Sequence, residues 1–493
     1  MIKIKSIQFK KYPVLGDLCL DFCDNNGNPA DTIIIAGENG TGKTIILEQI
    51  SKIMKYEMVQ YDTDCEVELN ILDNNGENFK YNYHYEGDRL YFPDHLGVSI
   101  NNNQDSTKQE NLYRLGKKFS SIYSNVNINF SPNLKIRTIQ SNSEDAKNND
   151  DLNENMAKNI KQFLINTDNY DNKIIVDKIR ENVGKIVTEE MLQGRMDRFK
   201  KAFNVMFSNI IEYNGMEDKN DYIEILFNKN GKEFSIDNLS SGEKQIVFRG
   251  AFLLKDKEAL NGAVILIDEP EISMHPKWQK KILDYYRNLF IDSNGKQTSQ
   301  IIVSTHSNFV IENAVQKLKQ QQQQQQQQEN IVIICLKKNN QVTKITRNGN
   351  PFILPTVTAA EINYHVFNIA SIDYHIQLFG HLQNLMENIL SKNIGRSINI
   401  NIEQVDKNIK HNKSLLPYYY DVEADSNLNI CQWKYKNTTY NTICCFIRNA
   451  IDHPDNLSTQ TKKEYTENDL QYSIEILIEL INLEKSGKLA III

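Results

Sequence analysis

Thr32-Ile33-Ile34-Ile35-Ala36-Gly37-Glu38-Asn39-Gly40-Thr41-Gly42-Lys43-Thr44-Ile45-Ile46-Leu47-Glu48-Gln49-Ile50 is the stretch that decides the fold. Its first five residues read as a short buried strand. A glycine-rich loop from Gly37 to Thr44 follows at once, and Thr44 to Ile50 begins a helix. In that context backbone N–H groups and the positive end of a helix converge on an anion, which makes the loop a phosphate cradle. Gly37, Asn39, Gly40, Gly42, Lys43 and Thr44 are therefore the candidate ATP-binding residues. Lys43 is expected to reach the β- and γ-phosphates, and the Thr44 hydroxyl to hold Mg²⁺.

Three segments downstream carry chemistry of the same kind. Val264-Ile265-Leu266-Ile267-Asp268-Glu269-Pro270 is an apolar run that ends in two acids. A parallel strand of this type presents both carboxylates at its C-terminal edge, where open α/β sheets bind ligands. A core strand that ends in acids by chance is the plain alternative, and the phosphate loop upstream argues against it. Asp268 is the expected Mg²⁺ ligand and Glu269 the general base that polarises the attacking water. His306, in Val303-Ser304-Thr305-His306-Ser307, follows the next buried strand and is the expected γ-phosphate sensor. Leu239-Ser240-Ser241-Gly242-Glu243 opens a helix, and Ser240, Ser241 and Gly242 form a second anion-binding turn. One phosphate loop does not need a second such turn, so its expected ligand is the ATP of a neighbouring copy.

Around these motifs the chain divides into four expected parts. Residues 1–100 form the first lobe of an ATPase head, with hairpin material in which Tyr81, Tyr83 and Tyr85 alternate. Residues 101–215 read as a mostly helical insertion. Its Asn-rich stretch to residue 157 is expected to be loop with some helix. Helical periodicity follows at Ile160, Phe163 and Leu164, then at Phe199, Phe203 and Phe207. Residues 216–350 form the second lobe, in which the run Gln320 to Gln328 reads as a solvated loop after a helix. Residues 351–493 read as a separate helical domain, with amphipathic stretches at 359–367, 372–385, 441–451 and 470–483. The expected class is α/β: a P-loop head with a mixed, mainly parallel sheet flanked by helices, a helical insertion and an α-helical C-terminal domain.

Composition bounds the function classes. The chain has 493 residues, long enough for two or three domains. Its 56 basic and 63 acidic residues give a net charge of −7, which does not support wholesale coating of nucleic acid, although a local basic groove remains compatible with it. No apolar run reaches the ~20 residues that span a bilayer. Met1-Ile2-Lys3-Ile4-Lys5 alternates charge and apolar residues like a strand, not like a signal peptide. The seven cysteines lack CxxC spacing, which argues against a zinc site and fits reduced thiols in the cytoplasm.

The four motifs together resemble the ATP-binding-cassette superfamily, in its SMC/RecF-like branch, over roughly residues 1–350. Leu239 to Glu243 is similar to the signature motif, Val264 to Glu269 to Walker B, and Glu271-Ile272-Ser273-Met274-His275-Pro276 to the D-loop region. The resemblance implies that two heads sandwich two ATPs, so at least a homodimer is expected for hydrolysis. The family's Q-loop is not assigned, and Lys11 or Tyr12 is a weak candidate for a base contact. A narrower resemblance, to the PtuA family of Septu and retron-associated anti-phage ATPases, rests on three stretches. They are Arg198-Phe199-Lys200-Lys201-Ala202-Phe203, Leu239 to Gly250, and Ala360-Glu361-Ile362-Asn363-Tyr364. It implies a separate HNH nuclease partner, PtuB-like, controlled by ATP state, with the C-terminal helices as docking and oligomerisation surface. The glutamine run departs from the family pattern.

Two other readings compete. Arg448-Asn449-Ala450-Ile451-Asp452-His453 fits the RxxxxH spacing of HEPN ribonucleases, which would make Arg448 and His453 nuclease residues. With nine histidines in the chain, such a spacing is nearly expected by chance, and Pro454 is consistent with an ordinary helix end. A RecF-like DNA repair ATPase, with DNA or RNA as partner, is the other.

Overall fold

The computed structural model describes residues 2–55, 65–72, 76, 78–86, 89–91, 121–125, 156–181, 194–219, 222–254, 262–292, 295–324, 330–338, 341–346, 351–416, 433–435, 438–440, 442–452 and 465–492. The chain divides into two compact units, Met1–Asn350 and Pro351–Ile493.

The first unit begins with β1 (Lys3–Tyr12), β2 (Gly16–Asp21), β3 (Thr32–Gly37), α1 (Lys43–Lys55), β4 (Cys65–Leu72), β5 (Asn78–Glu86), β6 (Arg89–Tyr91) and β7 (Ser121–Ser124). It continues with α2 (Met156–Glu181), α3 (Arg195–Met206), β8 (Ile211–Lys219), β9 (Tyr222–Lys229), β10 (Lys232–Ser235) and α4 (Ser241–Leu253). It ends with β11 (Val264–Asp268), α5 (Pro276–Leu289), β12 (Gln300–Thr305), α6 (Asn308–Gln324), β13 (Ile331–Leu336) and β14 (Val342–Ile345).

Among the described residues, the central sheet has the order β14-β13-β3-β12-β11-β7. All its pairings are parallel except β13–β14. A sheet covered on both faces needs apolar residues at every strand position, which is why β3, β11, β12 and β13 are buried throughout instead of alternating. On one face Ile33, Ile35, Leu266, Ile302 and Val332 pack with Ile46, Leu47 and Ile50 of α1 and with the antiparallel sheet β2-β1-β4-β5-β6. Gln300 ties the layers together. Its side-chain amide donates to the carbonyls of Ile4 and Ala30 at 3.0 and 2.8 Å, and its oxygen accepts from Ile4 N at 2.6 Å.

Two expectations change. Residues 121–124, expected as loop with some helix, form β7, the strand beside β11. The glutamine run is not loop throughout, because α6 continues to Gln324. Unbranched glutamines lose little rotamer freedom in a helix, so a helix entering the run meets no breaker. Gln325 to Gln328 lie outside the described residues.

The second unit holds α7 (Ala359–Phe367), α8 (Ile372–Ile394), α9 (Ile402–His411), a two-stranded ribbon β15 (Trp433–Tyr435) and β16 (Thr438–Tyr440), α10 (Ile443–Asp452) and α11 (Glu467–Lys485). Its core joins Leu378, Leu382, Val405, Ile447, Ile474 and Leu477 among others. Each helix start carries a cap of the preferred type: Thr358, Ser371, Asn401, Thr442 and Thr466 accept from backbone N–H groups three residues on. Asn408 and Asn412 imitate a strand. Each donates its amide to, and accepts from, the backbone of Ile492 and Ala490 respectively, and so fastens the tail to α9. Neither α9 nor the ribbon was expected from the sequence pattern.

Candidate functional site

β3, β11 and β12 run parallel with Asp268 opposite Ser304 and Thr305 opposite Ala36. Their C-terminal ends therefore bring the phosphate loop, the two acids and the histidine segment to one edge. Gly40 and Gly42 have φ of 82° and 86°, which L side chains rarely adopt. A Cβ at Gly42 would strike the Leu15 side chain, and one at Gly37 would lie 2.5 Å from the Leu336 carbonyl oxygen. The loop opens α1, which has no acidic residue in its first turn to compete for an anion. Lys43 is buried, and its Nζ donates to the carbonyls of Gly37 and Glu38 at 2.8 and 2.9 Å. Burial pushes the Lys43 amine below its usual range, while Glu269, Asp268, Glu271 and Glu38 pull it back.

Asp268 is fully buried at the end of β11. The Ser304 hydroxyl and, at 3.4 Å, the Tyr123 hydroxyl donate to its carboxylate. Burial raises the Asp268 carboxyl, opposed first by the hydrogen bonds from Ser304 and Thr44. Its backbone carbonyl accepts from the Arg249 guanidinium of α4 at 2.7 Å. The next residue, Glu269, has a φ of 42° and donates its N–H to the Ser304 carbonyl at 3.1 Å. Positive φ at a non-glycine residue is strained, and such strain concentrates at functional sites. The Glu269 carboxylate stands 3.2 Å from His306 Nδ1. A second carboxylate, Glu271, lies 3.8 Å from the same nitrogen.

The structure thus brings Lys43, Thr44, Asp268, Glu269 and His306 to one sheet edge, as the sequence spacing suggests. Asn39 and Gly40 are exposed at the loop. Ser240 and Ser241 are exposed at the start of α4, and among the described residues neither bonds to the phosphate loop. Ser240 caps α4 reciprocally with Glu243: its N–H donates to Glu243 Oε2 at 2.8 Å, and its hydroxyl accepts from Glu243 N at 3.4 Å. Gly242 is buried, and a Cβ there would lie 2.8 Å from the Ser273 carbonyl oxygen, so its side of the turn serves packing.

Tyr12 is buried edge-on against Phe9, in the core and not poised for a base. Lys11 remains exposed at the β1–β2 turn. Arg448 pairs with Asp452 at 2.6 Å, one turn along α10, and bonds to Asn449 at 3.1 Å. His453 lies outside the described residues. Tyr123 went unread in the sequence, and Arg249, Ser304 and Glu271 were read only as parts of motifs, with no role of their own. Ser304 carried the most usable signal, as a hydroxyl directly after the apolar run Ile301 to Val303, in a strand whose register sets it beside Asp268.

Residues 33–312, more than half of the chain, match the family described as "AAA domain, putative AbiEii toxin, Type IV TA system". Among curated relatives, "Retron Vc95 probable ATPase" of Vibrio cholerae serotype O1 biovar El Tor is 36% identical over 99 residues, 18% of each chain. "Retron Ec83 probable ATPase" of Escherichia coli is 22% identical over 386 residues, 62% of this chain and 69% of the relative. "Septu protein PtuA" of Bacillus thuringiensis is 26% identical over 145 residues, 26% of this chain and 34% of the relative. The match to the first and third therefore spans well under two thirds of their own length. The chain belongs to this AAA-domain family.

Proposed function

We propose that this AAA-domain ATPase closes as a homodimer on two ATPs, and that its ATP state controls a separate nuclease in anti-phage defence. The observation that carries the ATP site is the contact of Glu269 with His306, 3.2 Å apart, beside Asp268 and Lys43. Lys43 exchanges its two loop carbonyls for phosphate oxygens. Glu269 takes a proton from the attacking water, and the outward-facing ring nitrogen of His306 contacts the γ-phosphate. The donor set beside them, a threonine hydroxyl and an aspartate carboxylate, is all oxygen and suits Mg²⁺. Thr44 and Asp268 would hold that ion, which when bound neutralises phosphate charge. Raised by burial, Asp268 has a reason to welcome a cation.

The exposed serines of α4 support the dimer reading. Ser240 and Ser241 stand at a helix N-terminus that the same chain's phosphate loop does not engage, so they are available to the nucleotide of a second copy. The retron and Septu names of the relatives support the defence setting, and the PtuA resemblance implies an HNH partner docked through the C-terminal helices. The test is to express the chain with its genomic neighbours and recover the tagged ATPase with and without ATP. Co-purification of a small HNH protein, with nuclease activity that changes on ATP addition, is expected. A homodimer that recovers no nuclease and hydrolyses ATP faster with DNA would replace this reading with the DNA repair one.

A further inference from the structure

Glu271 has no assigned role, yet its geometry is specific. It is 3% exposed in the turn after Glu269. Its Oε1 accepts the Thr305 hydroxyl at 2.6 Å and the His306 backbone N–H at 3.0 Å, and lies 3.8 Å from His306 Nδ1. Its Oε2 is buried without a hydrogen-bond partner. Among the described residues its sole ion-pair contact is His306. A carboxylate removed from water with one oxygen unsatisfied is costly unless something nearby uses its charge. Burial does push the Glu271 carboxyl up, and the contacts with Thr305 and His306 pull it back.

The imidazole of His306 therefore faces two carboxylates from one nitrogen, Glu269 at 3.2 Å and Glu271 at 3.8 Å. Two acceptors on one side leave that nitrogen as the donor and fix which way the ring turns. The side chain is 41% exposed, so the opposite nitrogen has room to face outward. The backbone on either side of the ring is pinned as well, because Ser307 N donates to Thr305 Oγ1 at 3.0 Å.

We propose that Glu271 is a positioning residue for ATP hydrolysis: it holds the Thr305–His306 segment and, with Glu269, orients the imidazole with Nδ1–H inward and Nε2 outward. The inference rests on the reading of His306 as the γ-phosphate contact. The division of labour follows from the hydrogen bonds. Glu269 keeps the edge that faces water, while Glu271 is committed to the chain behind the ring.

The test is a double-mutant cycle on steady-state ATP hydrolysis by the full chain, with Glu271→Gln and His306→Ala alone and together. Glutamine keeps an acceptor for Thr305 and the His306 N–H but removes the charge facing Nδ1. Glu271→Gln should lower kcat roughly tenfold or more with KM for ATP little changed. The loss should vanish when His306 is already alanine, because coupled residues are non-additive. An equal loss in both backgrounds would mark Glu271 as merely structural, and wild-type kcat in Glu271→Gln would remove the proposal outright. Wild-type kcat in His306→Ala alone would instead overturn the reading of His306. Should Glu271→Gln fail to fold, Glu271→Asp enters the same cycle, and additivity there would equally overturn the proposal.

Discussion

The proposed nucleotide edge of the first unit and the helical core of the second both bury polar side chains, but they commit them differently. In the second unit the polar groups mostly hold chain to chain, although His375 Nδ1 and Asn449 Nδ2 are buried without a hydrogen bond. Asp406 accepts the N–H and the hydroxyl of Thr442 at 2.9 and 2.6 Å, and Asn408 and Asn412 bind the tail. At the nucleotide edge the polar groups converge and remain incompletely used. Asp268 is buried with raised affinity for a proton, Lys43 rests on two loop carbonyls, and Glu271 keeps a bare oxygen. Buried polar groups that close on one another stabilise a fold; those that converge and stay unsatisfied prepare a place for a charged ligand.

The contrast predicts a separation of effects. Lys43→Ala should have the largest functional consequence: ATP affinity in isothermal titration should fall by more than about a hundredfold, because the phosphate charge loses its buried partner. The melting temperature without nucleotide should barely move. A large stability loss with ATP affinity retained would make Lys43 structural and break the contrast.

Asp406→Ala should show the reverse. It leaves the Thr442 N–H buried and unpaired, which costs about 2–3 kcal/mol of stability in urea unfolding. ATP affinity should stay near wild type. A loss of ATP binding larger than the loss of stability would mean that the two regions do not divide the work in this way.

A third effect is a pH dependence. His375 is fully buried on α8, bonds to Ser473 at 2.9 Å, and burial lowers its pKa from 6.5 to about 3. The unfolded chain binds a proton below 6.5 that the folded chain refuses until about 3, so stability falls as pH drops through that window. The slope attributable to this residue is about 1.4 kcal/mol per pH unit. His375→Gln should flatten the acid side of the stability curve between those values. An unchanged slope would remove His375 as its origin. The Asp268 carboxyl, shifted upward, acts with the opposite sign: it favours folding at low pH and loses that contribution as pH rises.

The convergence of Lys43, Asp268, Glu269 and His306 at one sheet edge was legible in the sequence because its signals are local. Gly37 to Thr44 is contiguous, and Asp268, Glu269 and His306 each follow an apolar strand that announces itself. What the sequence hid was register and side-chain reach. β7 carries only Ile122 and Tyr123 as apolar signal inside an Asn-rich stretch, and it is a strand because β11 offers it an edge. Tyr123 reaches Asp268 only through that pairing. Arg249 reads as a charge on an apolar helix until its bond to the Asp268 carbonyl is seen. Glu271 reads as part of a turn. In the second unit the long helices were legible from their periodicity, whereas α9 is short and polar and its partner is the distant tail.

On the proposed reading, the edge built by Lys43, Asp268, Glu269 and His306 works only when a second copy brings Ser240 and Ser241 to it. Glu269→Gln tests it most directly, because glutamine keeps the shape and loses the base. Light scattering after gel filtration should find the Glu269→Gln chain as a stable dimer with ATP and Mg²⁺, with hydrolysis down by about a thousandfold. Adding Ser241→Arg to the same chain should return it to monomer while ATP still binds. A Glu269→Gln chain that stays monomeric with saturating ATP, or a Ser241→Arg chain that hydrolyses ATP at the normal rate, would rule out a site shared between two copies.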